Sequence, residues 1–117
     1  MTQLIDYVDA TGRLWGAARR RLDLKLEKWP NSVAGRVADA MPTSHEQRYP
    51  ELFVGEVLRF NMAVHKLPER QRRICYVHYV VPLPTAKKIR ILHVSRAKYF
   101  EILVNSHRNI ANTLEYS

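Results

Sequence analysis

Between positions 87 and 98 the chain carries Lys87, Lys88, Arg90, Ser95, Arg96 and Lys98, a set with the types and spacing to hold a polyanion. Lysine and arginine neutralise phosphates, and the planar fork of arginine also matches the acceptor pair on a guanine edge. Ser95 is a good helix N-cap, which puts Arg96 and Lys98 in the first turn of the helix that follows, where unpaired backbone N–H groups also favour an anion. Phe100 and Glu101 come next. Phe100 either meets a thymine methyl or packs inward; Glu101 either accepts from a cytosine amino group or stands in solvent. Lys87, Lys88 and Arg90 precede the turn and would grip phosphates, a contact that positions a protein on a duplex without specifying sequence. Arg70, Arg72 and Arg73 are a second basic group further upstream.

Charge is segregated. Residues 66–108 hold ten basic side chains against the two acids Glu69 and Glu101, a surplus of eight, and the rest of the chain holds nine of each sign. The whole formal charge of +8 therefore sits on one segment, as a phosphate-facing surface requires. Other chemistries find little support. His45, His65, His78, His93 and His107 lack the spacing of zinc ligands, the acids form no recognisable catalytic pair, and Cys75 is a lone cysteine on an apolar face. No metal, cofactor or enzymatic activity is expected. No apolar run reaches membrane-spanning length, and the opening MTQLIDYVDA carries acids where a signal peptide has bases, so a cytoplasmic protein with no membrane partner is expected.

The elements that must position these residues are helical throughout. The 117 residues suit one domain, and 46% hydrophobic residues support a folded core. Leu4, Ile5 and Val8, then Leu14, Trp15, Ala18 and Leu22, keep helical spacing on either side of Gly12, read as a breaker between two helices or within one. Arg19-Arg20-Arg21 lies among acids and reads as a near-neutral face rather than a binding site. Val33–Ala40 predicts a short helix, and residues 41–50 a loop. Residues 51–66 predict a helix with Phe53, Val57, Phe60 or Asn61 and Val64 on its buried side, joining the N-terminal part to the basic module. Pro68 at a first helical position opens the next helix, Pro82-Leu83-Pro84 stops it, Thr85 caps a short basic helix, and Ser95 caps the last one, from about Arg96 towards Leu114. The expected fold is all-α: residues 1–50 an N-terminal helical region and loop, residues 51–117 a helical module with a C-terminal helix-turn-helix, the two forming one unit.

Leu67, Pro68, Arg70, Tyr79-Val80, Leu83 and then Leu92, Val94, Ser95 and Arg96 resemble, in order and spacing, region 4 of the sigma-70 family, whose second helix enters the DNA major groove. The sequence departs from that pattern at His93, where glycine is usual, at Ile89, where a small residue is usual, and at Pro82 and Pro84. In layout the chain also resembles the phage antitermination protein Q family, in its branch without a zinc-binding cysteine cluster. That likeness is carried by Leu14-Trp15-Gly16-Ala17, the Tyr76–Tyr79 helix end and the turn. It implies a DNA-binding transcription antitermination factor, acting in a bacterial host. Such a factor binds double-stranded DNA near a phage late promoter, engages RNA polymerase there and promotes read-through of pauses and terminators. Arg70, Arg72 and Arg73 are then candidates to face polymerase. Two alternatives stay open: a helix-turn-helix regulator acting at initiation, and a sigma-like protein that binds and inhibits polymerase or a host factor.

Overall fold

The computed structural model describes residues 2–25 and 50–116, and most of them form helices that follow the apolar spacing of three and four residues. Helix α1 spans Thr2–Lys25, a 3-10 turn covers Pro50–Leu52, and α2 (Gly55–His65), α3 (Glu69–Tyr79), α4 (Thr85–Leu92) and α5 (Arg96–Tyr116) follow. The fold is all-α, with no strand among the described residues. The short helix expected over Val33–Ala40 and, apart from Pro50, the loop after it lie outside the described residues.

Proline sets two of the boundaries, so that α3 begins one residue later than expected and α4 one residue earlier. Pro68 and Pro84 are the cap residues of α3 and α4, so Thr85 is the first residue of α4 rather than its cap. Neither position needs a backbone N–H, and the carbonyls still close the first turns: Arg72 N donates to Pro68 O at 3.0 Å, and Lys88 N to Pro84 O at 3.1 Å.

Helix α1 lies against α2, α3 and α5, α2 also packs on α5, and α4 rests at the margin on α3 and α5. The N-terminal helix thus touches the basic module directly as well as through α2. Gly12 does not break α1. A Cβ there would stand 2.6 Å from the Tyr79 ring, and one on Gly16 would overlap the Tyr79 carbonyl. Both glycines therefore serve close approach, and the helix runs through them because its packed face outweighs a propensity deficit of about 1 kcal/mol each.

Tyr79 makes full use of the space. Its hydroxyl donates to Asp9 Oδ1 at 2.9 Å and meets His107 Nε2 at 2.6 Å. With the single phenolic proton spent on Asp9, the oxygen accepts from the Nε2-protonated tautomer of His107. Arg20 donates to the Tyr79 carbonyl at 2.8 Å, and Phe60 meets the ring edge-on at 6.1 Å. One residue at the end of α3 thereby ties α1, α2 and α5 together.

The rest of the core follows the same faces. Val8, Trp15, Ala18 and Leu22 of α1 are buried, and the Trp15 indole donates to Asn61 Oδ1 at 2.9 Å, which accounts for a buried amide on α2. Leu14, expected on the inner face, is exposed. Arg19 is buried between the Phe53 and Tyr76 rings, 6.0 and 5.9 Å from their centroids, and Tyr76 donates to Asp23 Oδ2 at 2.6 Å. Two of the three consecutive arginines, Arg19 and Arg20, are thus structural rather than part of a solvated face. Cys75 is buried as expected, and burial pushes its thiol up to about 12, so it stays protonated and inert.

Two histidines are held neutral beside Tyr79. His78 shares a hydrogen bond from Nδ1 to the Tyr99 hydroxyl at 2.9 Å; burial first, then the Lys88 charge, pushes its pKa down to about 4. Burial also lowers that of His107, against the opposing pull of Asp9.

Gly16→Ala separates packing from propensity. Helix propensity alone predicts a gain of about 1 kcal/mol, whereas overlap with the Tyr79 carbonyl predicts a loss of about 2 kcal/mol or more; urea denaturation of the variant decides the sign. The histidines give a pH dependence. An unfolded chain binds these protons near pH 6.5, and the folded state resists them until lower pH. Stability is therefore complete above about pH 7 and falls as pH drops from about 6.5 towards 4. Denaturation midpoints measured across that range should decline in the native protein and decline less in His78→Asn.

Candidate nucleic-acid interface

The turn between α4 and α5 is closed by backbone geometry that normally calls for glycine. His93 has φ 56° and ψ 44°, the left-handed region. Its N–H donates to Arg90 O at 3.2 Å, and Val94 N donates to Ile89 O at 3.4 Å, the Schellman pattern that stops α4 and redirects the chain. Ile89, Leu92 and Val94 pack against the core and fix the angle from below. Ser95 then caps α5: its Oγ accepts from Lys98 N at 3.1 Å, and its carbonyl accepts from Tyr99 N at 2.9 Å.

Helix α5 buries Tyr99, Ile102, Leu103, Ser106 and Ile110 and turns Arg96, Ala97, Phe100, Glu101, Val104, Asn105 and Arg108 outward. The Arg96 guanidinium lies 5.5 Å from the centroid of the exposed Phe100 ring, whose edge meets Tyr99 at 5.2 Å. Lys98, half-buried, reaches Glu101 Oε1 at 3.5 Å. Lys87 and Arg90 are exposed on α4. Lys88 points elsewhere: its ammonium donates to the His78 carbonyl at 2.8 Å, and burial, helped by the Arg20 charge, lowers its pKa. It braces the end of α3 and is not placed with the other cations.

Helix openings differ in sign across the molecule. Glu56 lies in the first turn of α2 and Glu69 in that of α3, the charge the helix dipole favours. No acid lies in the first turn of α4 or α5, where Lys87 and Lys88, and Arg96 and Lys98, stand instead. Cations at the positive end of a helix cost a few tenths of a kcal/mol each, a cost that a bound phosphate reverses.

Of the upstream arginines, Arg72 donates to the Leu67 carbonyl at 2.7 Å, and Arg73 pairs with Glu69 at 2.8 Å one turn back. Arg70 is exposed. Arg70, Arg73 and Glu69 rim a cleft of about 280 Å³ whose wall is Ile74, Leu92, Val94 and Ile102, with His93 at its edge. Spacing arguments on the basic residues alone miss this cleft, and they miss Val104 and Arg108. A helical wheel laid out from the buried Tyr99, Ile102 and Ser106 brings both onto the outer face. Among the described residues no cluster of histidine, cysteine or carboxylate groups has the arrangement of a metal site, and no helix is long and apolar enough to cross a membrane.

The structure therefore defines an all-helical protein with a basic outer face on its last two helices. Compared with known protein families, curated proteins and solved structures, the chain matches none.

His93→Gly should stabilise the fold by about 0.5–1 kcal/mol, since glycine adopts the left-handed conformation without the Cβ penalty; a thermal or urea titration reads the difference. For binding, Arg96→Ala should weaken specific duplex binding by about 1–3 kcal/mol if the fork reads a base. Lys87→Ala should weaken specific and random duplexes alike. Equal losses on both duplexes for Arg96→Ala would make it a phosphate contact.

Proposed function

We propose that this protein is a DNA-binding transcription antitermination factor, with α4, the His93–Ser95 turn and α5 acting as a helix-turn-helix of the sigma-70 region 4 kind. The observation that carries it is the sign reversal at the helix openings: the two helices that carry Lys87, Arg90, Arg96 and Lys98 are the two whose first turns hold cations and no acid. A duplex supplies the missing negative charge. On this reading α5 enters the major groove with Arg96 and Lys98 at its leading end, and Lys87 and Arg90 flank it on the phosphates.

RNA polymerase is the proposed protein partner. The cleft rimmed by Glu69, Arg70 and Arg73 has an apolar wall that suits an apolar side chain of the partner, and it stands beside the turn rather than on the outer face of α5. Arg72, spent on the Leu67 carbonyl, drops out of the polymerase candidates, and Lys88, spent on the His78 carbonyl, out of the DNA contacts. Antitermination, as opposed to control of initiation, rests on the resemblance in layout to the phage Q family.

Transcription from a template carrying the protein's binding site near the promoter and a terminator downstream tests the function. Added protein should increase the read-through product. An unchanged read-through fraction with altered initiation would assign the protein to regulators of initiation instead.

A further inference from the structure

The outer face of α5 is not uniformly polar. Ala97, Phe100 and Val104 form an exposed apolar patch, with Phe100 at 39% and Val104 at 42% exposure, on a helix whose exposed side also carries Arg96 and Arg108. The core does not need these side chains, because Tyr99, Ile102, Leu103, Ser106 and Ile110 already fill the opposite face. Exposed apolar side chains among cations call for a partner that is both anionic and locally apolar.

From these observations we infer that Ala97, Phe100 and Val104 form a thymine-methyl reader, which makes the preferred duplex one with thymines clustered where α5 crosses the major groove. This rests on the DNA-binding reading above. In that groove the thymine 5-methyl is the apolar feature of the base edges, and small or aromatic side chains contact it. Ala97 to Val104 spans seven residues, about 10 Å along the helix, which matches about three base pairs at 3.4 Å per step. Phe100 is held for this role. Arg96 covers one region of its ring at 5.5 Å and Tyr99 meets it at 5.2 Å, so the aromatic is oriented before DNA arrives. Exposed Lys87, Arg90, Arg96 and Arg108 supply the charge that attracts the duplex to this face.

The test uses the full chain and a random-sequence duplex pool enriched by binding to it. The enriched pool is amplified once with thymidine and once with deoxyuridine, which removes only the 5-methyl groups. Native protein should bind the deoxyuridine pool about fourfold more weakly per methyl contact, the value of burying one methyl-sized group. Phe100→Ala combined with Val104→Ala should lose most of the thymidine preference, while Lys87→Ala should bind more weakly yet keep the native ratio. Native protein that binds both pools equally, or a double variant that keeps the full native thymidine preference, overturns the inference and leaves DNA binding standing. A pool that never enriches overturns the DNA-binding reading and this inference with it.

Discussion

The seating of Tyr79 against Gly12 and Gly16 is the contact on which the rest of the molecule depends. Only two residues without Cβ, one turn apart, let α1 come close enough for the phenol to reach Asp9 on α1 and His107 on α5 at the same time. Removing the hydroxyl would leave a half-buried carboxylate and a buried imidazole without that partner, and adding a methyl to either glycine would push α1 outward. Burial and the hydrogen bond to Asp9 hold the Tyr79 proton well above the ordinary phenol range, so this link does not titrate under working conditions. Because Tyr79 also ends α3, the same contact sets where the chain turns into α4. Lys88 and Arg20 complete the joint by capping the carbonyls of His78 and Tyr79.

What the joint accomplishes is to hold the back of α5 so that its front is free. Ile102, Leu103, Ser106 and Ile110 are covered, and α4 is kept beside α5 by a turn that tolerates a strained histidine. Lys87 and Arg90 on α4 and Arg96 and Arg108 on α5 are left outside, whereas Arg19, Arg20, Arg72 and Lys88 are taken up within the fold. Part of the basic charge is thus structural, and α4 and α5 keep exposed cations of their own. The proposed duplex-binding role rests on those cations standing in helix first turns that hold no acid.

Much of this arrangement could be read along the chain. Prolines at 68, 82 and 84 and the serine at 95 mark boundaries through local chemistry, so the order of the last three helices and the Ser95 cap were legible to within a residue. Phe60, Asn61 and Val64 announce the inner face of α2 by their spacing, whereas the helix expected from residue 51 begins only at Gly55 and buried Phe53 lies in the bend before it. Gly12 reads as a breaker because a glycine that permits close approach and a glycine that breaks a helix look alike until the partner ring is known. The spacing of Leu14 fits a helix face, but Val8, Trp15 and Leu22 carry the buried face without it. The roles of Arg72 and Lys88 were hidden for a related reason: their targets are backbone carbonyls, which leave no mark on side-chain pattern. The apolar patch of Phe100 and Val104 became visible only once the buried side of α5 fixed its outward side.

The most direct measurement of the central claim is duplex affinity as a function of salt concentration. If Lys87, Arg90, Arg96 and Lys98, with or without Arg108, meet about three to five phosphates, log affinity should fall with log salt at a slope of about −3 to −4.5. Removing Lys87, Arg90, Arg96 and Lys98 should flatten that slope. Affinity that does not respond to salt, or a slope of that size that survives the loss of all four, would contradict the assignment of the basic face of α4 and α5 to DNA.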